Sequence, residues 1–538
     1  MHADDTGSAV SATPLILGRT LIPTLKARRV TAVPDRPQPR PDAVLAHALG
    51  ADLDAADFRS EPLRALWGEE ADDALARGLR EPILRALGSR SDPASTLGRL
   101  WVLGMPQPHA AVEQALPALG VAGAVALGLA VVAGEMVHPQ SLIRPQSFVD
   151  ADGVGEWWIA SDLDEIALGG PLPADHVLGV GGASRTLAEL VVQNPVGRAL
   201  DLGTGCGIQA LLISRHAGSV VATDISARAL AYAALNAALN GVRNIEFRLG
   251  SLFEPVVGES FDLIVSNPPF VITPRASDLP EYEYRDGGMV GDALVEEFLR
   301  AVPAHLAPDG IAQLLGNWES RGGRSGLDRL RSWVDDALDV WVIQREELTP
   351  LGYAELWIRD GGILPRDAEF TRLLGAWLDD FAVREVTAIG FGYILLRSPA
   401  PGDGERLRRF ETLTQPVSDL GRALAAGLAA HDLLAHGIPT RLVVAPDVTE
   451  ARHLMPGEDD PSVIELRQGG GFARTVSVDS ALAGFVGACD GELTVAQIAG
   501  ALADLFGVPL PELWADLEPR IRGLIRDGFL RPASPASE

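Results

Sequence analysis

The chain has 538 residues, 47% of them hydrophobic, and a formal net charge of −27. Length and apolar content allow several separate cores, hence roughly two to four domains. The acidic balance excludes a generally basic surface that coats nucleic acid, while leaving room for a local basic cleft.

The first residues, MHADDTGSAV, carry acids where a signal peptide carries positive charge. The two cysteines, Cys206 and Cys489, stand far apart. They give neither a disulfide framework nor a cysteine-rich zinc site, and the expected setting is a reducing cytoplasm. Residues 1–40 end in VPDRPQPRPDA and are expected to form an extended arm. Residues 41–170 are mainly helical in pattern: Leu45, Leu49 and Leu53 share one face, and Leu97, Leu100 and Leu103 another. The run Ala115–Gly134, ALPALGVAGAVALGLAVVAG, has roughly the length of a membrane span. Its Ala, Gly and Pro content favours a glycine-broken pair of buried helices in a soluble protein instead. Two β-type runs, MVHPQSLIRP and EWWIASD, follow. Helices followed by a β-hairpin is the order of a winged helix, which docks nucleic acid, a second copy or a substrate.

Between residues 171 and 400 the texture changes to alternating strands and helices. The β-runs RALDLG, SVVATDI, IEFRLGSLF, FDLIVSNPPF and IAQLLGNW are separated by helical stretches, which argues for a doubly wound, mostly parallel sheet. DVWVIQRE, AELWIRD and VTAIGFGYILLR are read as further strands of it. Residues 401–437 form a helical linker. In 438–538, LTVAQIAGALADLFG starts at a Thr494 cap, and Leu513, Leu517, Ile521, Leu524 and Ile525 share a helix face before a final β-type FLRP. This small α+β unit is similar to the PqqD-like peptide-binding winged helix; a plain structural or dimerising role is the alternative reading.

The chemistry concentrates in four places. ALDLGTGCG, Ala199–Gly207, is a strand ending in Asp201 and running into Gly203, Gly205 and Gly207, where backbone must turn and approach a ligand closely. Its spacing is G-x-G-x-G, not the G-x-G-x-x-G of dinucleotide sites. The next strand ends at Asp224, an acid placed to take the hydroxyls of a ribose. GSLFEP follows the third strand. The fourth stops abruptly on Asn267-Pro268-Pro269-Phe270, because proline cannot continue a central strand.

In this order and spacing the four elements resemble the class I S-adenosylmethionine-dependent methyltransferases, a Rossmann-like α/β fold. The resemblance implies that Asp201, Gly203, Thr204, Gly205, Cys206 and Gly207 line the methionine end of S-adenosyl-L-methionine. Asp201 would lie near the ammonium, Cys206 would be a wall residue, and Asp224 with Ile225 would hold the ribose. Ser251 and Leu252 would meet the adenine, although relatives usually carry an acid where Ser251 stands. In the N-P-P-F motif of amino-methyltransferases, the Asn267 side-chain oxygen and the Pro268 carbonyl accept the two N–H groups of a planar amine. Pro269 stiffens the corner, and Phe270 offers the substrate a flat face.

The stretch from LDLGTGCG to NPPFVITP, with YRDGGMVGDALVEEFLRAVPAHLAPDG after it, is similar to the HemK-type glutamine methyltransferases, which modify a Gly-Gly-Gln motif in release factors. The first reading is therefore N-methylation of a protein glutamine amide. Phe270, where those enzymes usually carry tyrosine, keeps open a ribosomal RNA guanine-N2 or adenine-N6 acceptor. A peptide or small-molecule acceptor, and a non-catalytic cofactor-binding protein, are further alternatives. A macromolecular substrate, protein or RNA, is the expected partner; no membrane and no metal are expected, and oligomeric state is left open. Arg185 reads as a contact to the cofactor carboxylate or an ordinary helix-start residue. Tyr282, Tyr284 and Arg285 read as a substrate lid or as loop packing. Trp318 reads as pocket or core, and His176 and His216 as structural.

Overall fold

The computed structural model describes residues 36–150, 153–170, 172–275, 287–399, 404–414 and 419–533. Its centre is one eight-stranded sheet built from Val196–Leu202 (β1), Ala217–Asp224 (β2), Ile245–Leu249 (β3), Phe261–Ser266 (β4), Leu306–Arg321 (β5), Asp339–Leu348 (β6), Val386–Arg397 (β7) and Arg408–Thr412 (β8). The strand order is β8-β6-β7-β5-β4-β1-β2-β3. Strands β5, β4, β1, β2 and β3 are parallel, β7 runs antiparallel to both β5 and β6, and β8 is parallel to β6. The order reverses between β1 and β4, and the crevice at the carboxyl ends of the strands on either side of such a switch is where open α/β sheets take ligands. The parallel strands read as near-continuous apolar runs because both faces are covered. On one side Leu200, Ile264 and Leu314 pack with Phe298 and Trp333; on the other Ala199, Leu263, Val265 and Leu315 pack with Leu187 and Leu190.

The helices on these faces are Gly182–Leu190 (α1), Ile208–Ile213 (α2), Ala227–Leu239 (α3), Ala293–Ala301 (α4), Pro350–Asp360 (α5), Ala368–Val383 (α6) and Leu420–Ala435 (α7). Two expectations are corrected here. AELWIRD lies in α5, not in a strand: Thr349 caps the helix by accepting from the Gly352 amide, Pro350 starts it, and Tyr353, Ala354 and Ile358 bury its inner face. The segment expected to be only a helical linker contributes β8 to the sheet before α7.

In the amino-terminal region the winged-helix order is present with different strands. Helix Pro93–Leu97, strand Gln107–Pro108, helices His109–Ala115 and Gly120–Ala126, and the hairpin Ala130–Ala133/Met136–Pro139 follow one another. MVHPQSLIRP is thus split between two hairpins, and its second half pairs with EWWIASD in the long hairpin Ser141–Asp150/Gly153–Asp162. The second expected helix of Ala115–Gly134 gives way to a strand at Ala130. No described helix is long and apolar enough to cross a membrane.

The carboxy-terminal unit has a three-stranded antiparallel sheet, Val448–Leu454, Pro461–Gln468 and Thr475–Val478. Helices Ser480–Gly487, Val495–Phe506 and Leu510–Arg526 follow. Thr494 and Gln497 form a reciprocal capping box at the second of them. The final strand, Leu530–Pro532, pairs with Leu442–Val444.

Candidate active site

β1 ends in Asp201, which is 1% exposed. Its Oδ2 accepts from Thr204 Oγ1 at 2.6 Å and from the Ala210 amide at 2.9 Å, fixing the turn to α2. Gly203, Gly205 and Gly207 all have positive φ, at 78°, 55° and 86°, which L side chains rarely adopt. At Gly203 and Gly205 nothing lies within 4 Å of where a side chain would begin, so the turn is open on that side. At Gly207 the Ala233 side chain of α3 would stand 2.9 Å away, so this glycine serves close packing. Cys206 is buried, and burial pushes its thiol up to about 11, which suits a wall residue and not a nucleophile. Its carbonyl accepts from Asn236 Nδ2 at 2.8 Å.

Asp224 closes β2. One carboxylate oxygen accepts from the Gly205 amide and the other from the Ser226 amide, both at 2.9 Å. Each oxygen keeps a second lone pair for a hydroxyl. Burial raises the carboxyl above the usual range, against those amide bonds. Ile225 beside it is 56% exposed, a free apolar edge at the mouth of the crevice. Ser251 is exposed and Leu252 half-buried. Leu252 holds a φ of 45° that its side chain resists, so this loop is set by its surroundings. The Ser251 amide donates to Glu254 Oε2 at 3.3 Å, which brings a carboxylate to the place where Ser251 itself has none.

Asn267, Pro268, Pro269 and Phe270 leave β4 in register with this edge, since Ser266 pairs with Leu202 of β1 and with Leu314 of β5. Phe270 lies 5.5 Å from Phe391 of β7, centroid to centroid. Pro269 and Phe270 line a small pocket together with Gly287, Leu294 and Asn317. Arg185 is exposed on the first turns of α1. α1 is tied to α2 through Gln209 Nε2, which donates to the Ser184 carbonyl at 2.7 Å. Tyr282, Tyr284 and Arg285 lie outside the described residues. Trp318 is fully buried in the core and donates to Gln344 at 2.8 Å. Among the described residues no group of three potential ligands converges on a metal position.

One feature of this edge is chemical and not only geometric. Among the described residues, the buried side-chain oxygens without a hydrogen-bond partner are those of Asp201, Gln209, Asn267, Asn317 and Glu319. All five belong to β1 and its following helix, to the end of β4, or to the last part of β5. Leaving such an oxygen unmet costs about 1–3 kcal/mol each. Glu319 is ion-paired with Arg321 and Arg384, but Asp201, Asn267 and Asn317 offer acceptors to a ligand that brings N–H groups. Asn317 and its partner Tyr353 are missing from the sequence-based set; the asparagine inside the apolar run IAQLLGNW is the one signal that marks it.

Residues 179–322 match the family model described as "Methyltransferase small domain", and residues 55–140 match a domain of unknown function, DUF7059. The release factor glutamine methyltransferase of Xylella fastidiosa is 42% identical over 131 residues, which are 23% of this chain and 47% of that protein. The ribosomal protein uL3 glutamine methyltransferase of Bordetella pertussis is 35% identical over 167 residues, 28% of this chain and 56% of that protein. The chain thus spans about half the length of the curated relatives it matches. Its eight-stranded sheet, its Asp-x-Gly-x-Gly-x-Gly edge and these likenesses agree: residues 179–322 are a class I methyltransferase domain, similar in sequence to the glutamine methyltransferases.

Proposed function

We propose that the chain is an S-adenosylmethionine-dependent N-methyltransferase whose acceptor is the side-chain amide of a protein glutamine. The observation that carries this reading is the buried, unpartnered Oδ1 of Asn267 at the end of β4, beside the open glycine turn after β1. The residues fit the cofactor: Asp201 offers an unpartnered oxygen to an ammonium, Asp224 offers lone pairs to ribose hydroxyls, and Gly203 and Gly205 leave room. Bound there, S-adenosylmethionine supplies a methyl group on a positively charged sulfur.

The rest of the work falls to the acceptor side. An amide nitrogen is a poor nucleophile because its lone pair is delocalised into the carbonyl. Asn267 Oδ1 and the Pro268 carbonyl accept its two N–H groups, which favours pyramidalisation and aims the emerging lone pair. Pro269 holds the two acceptors at a fixed separation, and Phe270, packed on Phe391, gives the planar group a face to lie against. No strong base is required beforehand, because the N–H becomes acidic as the new bond forms. The related glutamine methyltransferases support an amide acceptor over a nucleobase.

Labelled methyl transfer from S-adenosylmethionine into a cell lysate, divided between protease and ribonuclease treatment, tests the acceptor class. Label lost to protease alone is expected; label lost to ribonuclease alone replaces the amide with a nucleobase. Asn267→Ala should abolish transfer while cofactor affinity, read by calorimetry, changes less than about threefold. Asp224→Ala should weaken cofactor binding first. Equal loss of binding and transfer in Asn267→Ala refutes the role of that side chain.

A further inference from the structure

The reacting amide accounts for Asn267 and leaves Asn317 unexplained. Asn317 lies on β5, three residues past Leu314, the partner of Ser266, and so runs alongside the Asn267–Phe270 corner. It faces Phe391 across the β5–β7 pair, and Phe391 packs against Phe270. The side chain is 1% exposed and lines the same small pocket as Pro269 and Phe270. Nδ2 donates to Tyr353 Oη at 2.6 Å, and that phenol also accepts from the Ile272 amide at 3.0 Å. With the amino group held there, Oδ1 is left as a buried acceptor without a partner.

We infer that Asn317 Oδ1 is a second acceptor-binding group, which takes a main-chain N–H of the substrate peptide next to the methylated side chain. The inference rests on the proposed amide N-methylation. A primary amide has two N–H groups, and both are engaged by Asn267 Oδ1 and the Pro268 carbonyl. A further buried acceptor therefore calls for a third donor on the substrate. In a peptide the nearest such donor is the backbone amide. Free glutamine offers a charged ammonium at that point, which a neutral buried oxygen does not neutralise, and adenine offers a lone pair beside its amine. Guanine does offer a ring N–H, so this oxygen separates a peptide from adenine and not from guanine. Asn317 would thus select an internal glutamine of a peptide by the backbone that carries it, and Tyr353 would be a positioning residue that keeps the oxygen aimed inward.

The test uses the full chain and a peptide containing Gly-Gly-Gln, with esters replacing, one at a time, the backbone amides of the glutamine and of its two neighbours. One ester should raise KM about three- to tenfold with wild type, the worth of one hydrogen bond. Asn317→Leu should raise KM by a similar factor on the all-amide peptide, with kcat and S-adenosylhomocysteine affinity within about threefold of wild type. On the sensitive ester peptide that substitution should cost nothing more, closing a double-mutant cycle. Tyr353→Phe, which keeps the ring in the core, should give a smaller rise in KM and covers the case in which Asn317→Leu folds poorly. Transfer by wild type with additive losses in the cycle, or an unchanged KM in both variants, overturns the inference alone. No transfer by wild type to any glutamine peptide overturns the proposed function and this inference with it.

Discussion

Asp201 combines full burial with a single free oxygen, and its chemistry sets the pH behaviour of the crevice. Burial pushes its carboxyl up to about 7, against hydrogen bonds from Thr204 and the Ala210 amide. The folded chain thus holds this proton more tightly than the unfolded chain. The associated stability is complete below about pH 4, the unfolded value, and is lost as pH rises through about 7. A ligand ammonium reverses the preference, because it favours the ionised form. Affinity for S-adenosylhomocysteine should therefore tighten between pH 5.5 and 7, by up to about tenfold per unit, and level off above that. Asp201→Asn should bind more weakly with a flat profile, and calorimetry in buffers of different ionisation enthalpy should show proton release only with wild type. A flat profile in wild type would sink the assignment. Asp201, the glycines, Asp224 and Asn267 can be read as candidates from sequence because they lie at or just past strand ends in short motifs. Asn317 cannot, because its partners Tyr353 and Ile272 lie 36 and 45 residues away along the chain and only folding brings them together.

α3 shows how an element can hold a site without touching it. The sequence ARALAYAALNAALNG reads as a helix, and it forms one over Ala227–Leu239 with a Ser226 cap. Its two asparagines act as a ladder against the strand Gly153–Asp162. Asn236 accepts from the Ala160 amide at 2.8 Å and donates to the Ala160 carbonyl at 2.9 Å; Asn240 does the same with Trp158 at 2.9 and 2.8 Å. Asn236 is fully buried and also donates to the Cys206 carbonyl, so one side chain joins the amino-terminal hairpin to the glycine turn. Asn236→Leu leaves three buried backbone groups unmet and should cost about 2–4 kcal/mol, read by denaturant melts. It should weaken cofactor binding as well, while Asn240→Leu, whose bonds stop at Trp158 and its own helix, should lower stability with smaller effect on binding. Equal binding loss in both variants would argue against the link to the glycine turn. The strand that these asparagines meet is not readable from ARALAYAALNAALNG, because hairpin register depends on pairing that local sequence does not specify. AELWIRD failed for a related reason. Its apolar residues suit either period, and the Thr349–Pro350 start decides for helix.

At the scale of the molecule, a polar cluster centred on one carboxylate sits in the seam between the carboxy-terminal unit and the sheet. Glu411 on β8 pairs with Arg474 at 2.7 Å and Arg409 at 2.8 Å and accepts from Trp341 Nε1 at 2.7 Å. Arg409 in turn reaches Asp527 at 2.6 Å, beyond the last helix of the unit, and Phe472 packs 5.3 Å from the Trp341 ring. Burial would raise the Glu411 carboxyl, but its ion pairs and the Trp341 bond prevail and hold it below the usual carboxylate range. A depressed folded value contributes stability above the unfolded pKa and loses it as pH falls through the folded one, below about pH 4.5. α7 spans this seam: Leu420, Leu424 and Leu428 are buried in the same core as Trp341 and Leu395, and Ala430, Leu433 and Leu434 pack against the carboxy-terminal core. At neutral pH the two parts should therefore unfold in one calorimetric transition. Glu411→Ala leaves two largely buried arginines with Asp527 as their remaining shared carboxylate, a loss of up to about 3 kcal/mol at the seam. It should split the transition in two and open a protease-sensitive site near the start of the unit. Acid below about pH 4 should reproduce that split in wild type while leaving the Glu411→Ala profile little changed. A single unaltered transition in the variant would mean that the apolar contacts, Phe472 on Trp341 and α7 across both cores, carry the attachment and the carboxylate does not.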